Sequence, residues 1–179
     1  MGQSATLYSI DKKDFSKIID NPKDFGLFQI KKDYEIFDKS FDGLQFVLSK
    51  GLDNVNKELI EHIFYPRTFI GEQLDFTKID LDNLPDDFSF EEHTVSYNEP
   101  SMVLKICNLL GTISLATFQG NFDHRELNNQ EVYPTDIWND ETEENIAFNV
   151  RHMSVQFENL KAIFKTAKEN CDYLLSYVG

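Results

Sequence analysis

Cysteine and positive charge are both scarce in this chain. Its 179 residues include two cysteines, Cys107 and Cys171, and neither has a partner at CxxC spacing. A small secreted domain held by disulfides carries more, so that class is excluded. Lysine and arginine number 17 against 31 aspartates and glutamates, a formal net charge of −14. Such a surface repels phosphate backbones, which excludes a nucleic-acid partner. Long apolar runs are missing too. The longest apolar-leaning stretch, residues 106–118, is interrupted by Asn108, Thr112 and Ser114 and is too short and polar to span a bilayer. No basic, apolar, small-residue signal opens the chain. These absences predict a cytoplasmic protein with no membrane partner.

Familiar catalytic motifs are also lacking. No GxGxxG or GxxxxGK[ST] occurs, so a dinucleotide site and a P-loop have no support. Gly111-Thr112-Ile113-Ser114 lacks the closing glycine of a nucleophile elbow. Histidines 62, 93, 124 and 152 are scattered, with no pair at metal-ligand spacing. Asp80-x-Asp82 begins like a calcium loop, but Leu84 takes the third ligand position. His124-Arg125-Glu126 are sequence neighbours, which rarely converge on one substrate, and read as a surface cluster. No catalytic residue, metal or cofactor is therefore assigned.

What is present suits one domain over 1–179. The chain is 41% apolar with 16 phenylalanines, and a chain of this length buries roughly 70% of its unfolded surface without staples. The charge is uneven. Residues 61–144 hold 4 basic and 18 acidic side chains, net −14, whereas both ends are nearly neutral. A confined acidic region attracts a basic partner and speeds its encounter. An immunity- or inhibitor-type protein that engages a basic protein fits this pattern; a solubilising surface is the plainer reading.

Local patterning predicts the elements. Residues 5–10 read as a strand. The opening Met1-Gly2-Gln3-Ser4-Ala5-Thr6 also fits an N-myristoylation pattern, but the strand is the preferred reading. Asp11 caps a helix carrying Phe15, Ile18 and Ile19. Residues 34–50 read as a second helix, with Phe37, Phe41, Leu44, Val47 and Leu48 on one face and Gly51 as terminator. Helix follows at 55–64, short strands at 68–70 and 94–97, and an apolar helix at 101–110 expected to be the most buried. Ile146, Val150, Met153, Phe157, Leu160, Phe164 and Ala167, spaced alternately by four and three, mark a long amphipathic helix. Residues 173–178 form a last strand. The fold class is α/β: a helix-rich domain whose terminal strands share a small mixed sheet covered by helices, sandwich-like, with α+β as the alternative.

One constellation stands out. Glu72 and Asp75 follow Gly71, while Tyr133, Asp136 and Trp138 lie in a Tyr-Pro segment. Amphipathic rings beside carboxylates suit a small-molecule or enzymatic pocket for a cationic or sugar-like ligand. The plainer reading has the rings capping the core and the acids in water.

Several segments in series resemble the YfbM-like family of uncharacterised bacterial proteins. They are Met1-Gly2-Gln3-Ser4-Ala5, Gly43-Leu44-Gln45-Phe46-Val47-Leu48, Ile70-Gly71-Glu72, Val132-Tyr133-Pro134 with Ile137-Trp138, and the helix-then-strand ending. The resemblance implies a single α/β domain and no established activity. Relatives often carry histidines near the positions held here by Asp42 and Gln45, a departure by which this chain loses any chemistry those histidines do; Gln45 stands among the candidate ligand-binding residues. The acidic stretch 81–92 reads as an insertion.

Overall fold

The computed structural model describes residues 2–20, 33–71 and 94–179. The chain opens with β1 (Ser4–Ile10). Its residues alternate between the two faces of a sheet, as the two-residue strand period requires. Ala5 and Leu7 enter the larger hydrophobic core, while Ile10 enters a smaller one. Asp11 accepts the Asp14 N–H at 2.8 Å and starts α1 (Lys12–Asp20). Phe15 and Ile18 of α1 cover Ile10 and Leu175 on one side of the sheet.

Residues 34–50 do not form one helix. Tyr34–Asp38 is strand β2, and α2 runs only over Phe41–Ser49. The Phe37–Phe41 spacing of four mimics a helical face. Tertiary pairing overrides it: β2 lies along β1 from Ser4↔Asp38 to Tyr8↔Tyr34, where aromatic and β-branched side chains are at home. Lys39 then adopts a left-handed φ of 55°, which turns the chain out of the sheet before α2 begins.

Helix α3 (Asn54–Phe64) starts where Asp53 accepts the Asn56 N–H at 2.9 Å. Its C-terminal carbonyls are satisfied from the sheet. Asn98 Nδ2 donates to His62 O at 2.6 Å, and Ser176 Oγ donates to Phe64 O at 2.6 Å. These bonds replace the intrahelical partners a helix end lacks and fix α3 on the sheet. The donors come from β4 (Val95–Asn98) and β5 (Tyr173–Val178). Strand β3 (Thr68–Ile70) pairs with β4 at one edge.

The strand order is β2-β1-β5-β4-β3. The terminal strands do pair, from Ala5↔Val178 to Ile10↔Tyr173. All described pairings are antiparallel, not mixed. The reason is where the chain re-enters: β5 starts at the end of the sheet where β1 leaves it, so the two run in opposite directions.

The other face carries the remaining helices. α4 (Pro100–Thr112), α5 (Leu115–Asn121), α6 (His124–Asn129) and α7 (Val150–Asn170) pack there with α2 and α3. α7 presents Met153, Phe157, Leu160, Phe164 and Ala167 to the core, as its periodicity predicts. α4 is not the most buried helix. Val103, Ile106 and Leu110 are buried, but Leu104 is 43% exposed, on a face that Ser101, Lys105 and Asn108 also leave in solvent. It runs through Gly111, and a new helix starts at Ser114, which caps α5 by accepting the Thr117 N–H. No single described helix is long and apolar enough to cross a membrane.

Cys171 ends α7 in the left-handed region, with φ 56° and ψ 37°. This closes the helix, with Asp172 N–H donating to Ala167 O at 2.8 Å, in the position where glycine is the usual residue. The left-handed conformation costs a residue with a Cβ roughly 1–2 kcal/mol. Cys171→Gly is expected to raise the unfolding free energy by about 1 kcal/mol, the remainder going to the freer unfolded chain. Urea unfolding checks this; a lowered midpoint would contradict the assignment.

Candidate functional site

A cleft of about 630 Å³ lies where α2 and α3 meet α6 and the segment after it. Helix period explains the first wall. On α2, Phe41, Leu44, Val47 and Leu48 are buried. Asp42, Gln45, Phe46 and Ser49 fall at i, i+3, i+4 and i+7, which forms a second stripe along the cleft. On α3, Lys57 and Glu61 line it one turn apart. Glu126 of α6, then Glu131, Val132 and Tyr133, close the far side.

That far side is irregular backbone held by side chains. Asn128 acts as a clamp: its Nδ2 donates to Trp138 O at 2.9 Å, and its Oδ1 accepts Trp138 N–H at 3.1 Å. The Trp138 indole N–H donates to Val132 O at 2.9 Å. The ring is 3% exposed and packs edge-on against Phe148, with centroids 5.6 Å apart. It lies directly on Gly43. A Cβ there would come within 2.1 Å of Trp138 Cη2, so α2 accepts the indole only because residue 43 has no side chain. Tyr133 is held from the other direction: its hydroxyl accepts the Gln3 N–H at 2.7 Å, and its ring packs on Phe41 at 5.9 Å.

The polar groups of the cleft are unevenly satisfied. Lys50 Nζ donates to Asn121 O at 2.7 Å and pairs with Glu126. Asp42 Oδ1 accepts the Tyr65 hydroxyl at 3.2 Å. Burial holds the Asp42 carboxyl above its usual range, and the Tyr65 hydrogen bond only partly offsets it. Burial, with the adjacent Asp42 charge, pushes Tyr65 up to about 12. Gln45 Oε1 is fully buried with no hydrogen-bond partner among the described residues.

The structure divides the sequence candidates. Gln45 and Tyr133 line the cleft. Trp138 stands behind its wall as a core residue. Asp136 is exposed on a left-handed turn, φ 62°, outside the cleft lining. Glu72 and Asp75 lie outside the described residues. Asp42 enters the sequence reading only as a family position and Glu126 only in a surface cluster, and Lys50, Lys57, Glu61 and Glu131 do not enter it. The polar stripe at 42, 45 and 49 opposite the apolar face of α2 was the available signal for the first of them. Among the described residues no group of three or more histidines, cysteines or acids is placed to hold a metal ion.

The Asp42–Tyr65 pair makes a signed prediction. A carboxyl whose pKa is raised by folding binds its proton more tightly when folded, so its ionisation costs stability. That cost is absent below the unfolded value of 3.8 and complete above the folded one. Asp42→Asn removes it. The stability of Asp42→Asn relative to the unsubstituted protein should therefore improve between about pH 4 and about pH 7. Urea midpoints at the two pH values measure this, and a difference independent of pH would contradict it.

Comparison with known proteins completes the description of the chain. No curated protein matches it. Its structure is similar to that of a protein of unknown function, YfbM from Escherichia coli. The TM-score is 0.62 at 12% sequence identity, over 98% of this chain and 99% of that one. At this identity the likeness shows the fold alone. A family model described as a domain of unknown function, DUF1877, matches residues 1–177. The chain belongs to the DUF1877 family.

Proposed function

We propose that this protein is a binding domain for a small polar molecule, which occupies the cleft between α2, α3 and the 126–133 segment. The observation that carries this reading is Gln45. A buried acceptor left unpaired costs about 1–3 kcal/mol, and the core does not need it. A hydrophobe of similar volume would fill the same helical position. An amide kept there at a cost to stability makes sense when ligand entry turns the side chain and supplies a donor to its oxygen. The cleft volume of about 630 Å³ falls within the usual range for small-molecule sites, roughly 300–1,000 Å³.

A second reading rests on a separate surface. Asp136, Asp140, Glu141, Glu143 and Glu144 are all exposed on the segment that precedes α7. They support engagement of a basic protein partner. Such binding would weaken steeply with salt and would not depend on Gln45.

Gln45→Met separates a ligand-binding amide from a structural one. The substitution keeps volume and helix propensity and removes the buried polar atom, so stability should stay level or rise by up to about 1 kcal/mol. A fragment screen followed by amide chemical shifts should place hits at Asp42, Gln45, Glu61 and Tyr133, and Gln45→Met should lose them. A loss of about 2 kcal/mol in Gln45→Met would mark the amide as structural and contradict the reading.

A further inference from the structure

The lining of the cleft specifies the charge of its ligand. This step rests on the small-molecule reading above. Four carboxylates, Asp42, Glu61, Glu126 and Glu131, face two ammonium groups, Lys50 and Lys57. The Lys50 ammonium is already committed to Glu126 and to Asn121 O. Among the described residues, Glu61, Glu131 and Lys57 have no ion pair. Asp42 accepts a single hydrogen bond, from a neutral phenol. Acidic groups thus exceed cations in the lining. A carboxylate or phosphate ligand would find Lys57 as its one uncommitted cation and would meet three uncommitted acids at close range.

The cleft also has an aromatic component, with Phe46 and Tyr133 in its wall. Phe46 already receives a cation, since Lys50 Nζ lies 5.3 Å from its ring centroid. Aromatic faces beside carboxylates favour alkylammonium groups, whose charge meets the acids while the methylenes cover the rings.

We infer that the cleft binds a cationic, amine-bearing small molecule, with the Asp42 and Glu61 carboxylates accepting its N–H groups. Lys57 leaves room for a carboxylate elsewhere on the same molecule, and the ammonium is the group the site requires.

Three four-carbon probes test the charge directly: 1,4-diaminobutane, 1,4-butanediol and succinate. Each is titrated into the full chain and followed by backbone amide shifts. The diamine should move the amides of Asp42, Gln45, Glu61 and Tyr133, and succinate should not move them. Asp42→Asn and Glu61→Gln should each weaken diamine binding roughly tenfold, as expected for a lost charge-assisted hydrogen bond. Their dispersed amide spectra would show that both variants remain folded. If the diol or succinate binds in the cleft as tightly as the diamine, the inferred ligand class is overturned and the cleft reading stands. If the diamine moves only Asp140, Glu141, Glu143 and Glu144, it is acting as a counterion of the exposed acids, and both the ligand class and the cleft reading are overturned.

Discussion

The contact between the Trp138 indole and Gly43 decides where the rest of the cleft can be. Between α6 and α7 the chain has no regular structure to fix its path. The single tryptophan of the sequence serves as the anchor. Its ring fills the space over α2 that any Cβ at residue 43 would occupy, and its N–H holds the Val132 carbonyl. Asn128 secures its backbone on both sides. Val132 and Tyr133 are thereby pressed toward α2 and become the far wall. The resemblance motifs acquire a physical meaning from this arrangement. Gly43 accepts Trp138, Tyr133 receives Gln3, and Gln45 lies on the same helix as Gly43.

Two kinds of polar burial coexist in the molecule and behave differently. Structural polar groups are paired: Ser9 donates to Asp172, Ser176 to Phe64 O, and Asn98 to His62 O. Asn149, fully buried, caps α7 by accepting the His152 N–H and donates to Ile146 O. Within the cleft the pairing is incomplete, at Gln45 and in the excess of carboxylates. Among the described residues, the one buried side-chain polar atom left without a partner is Gln45 Oε1, on a helix that lines this cleft.

The framework was legible because its signals are local. The 4-3 spacing from Met153 to Ala167 and the alternation along β1 each depend on a few neighbouring residues. Misreadings arose where distant partners decided the outcome. Phe37 and Phe41 are spaced like one helical face, yet β1 recruits the first into the sheet and leaves the second to α2. The apolar composition of α4 points to the most buried helix, but the face that carries Ser101, Leu104, Lys105 and Asn108 stays in solvent. The site was legible in part. Gln45 comes from a family motif and Tyr133 from the aromatic-acidic pattern, and both line the cleft, whereas Trp138 lies behind it. Composition could not tell a ring that lines a pocket from one that supports it from behind. Lys57, Glu61 and Glu126 come from helices separated by many residues, and only the folded arrangement brings them together.

Residue 43 is held to glycine by the Trp138 ring that lies on it. A double-mutant cycle on unfolding free energy measures that coupling. Gly43→Ala alone should cost about 1–3 kcal/mol, the usual penalty for forcing an atom into a packed core. In a Trp138→Leu background the same change should cost nothing, or gain up to about 1 kcal/mol from the better helix propensity of alanine. An equal cost for Gly43→Ala in both backgrounds would show that the indole does not set the constraint, and would contradict the account.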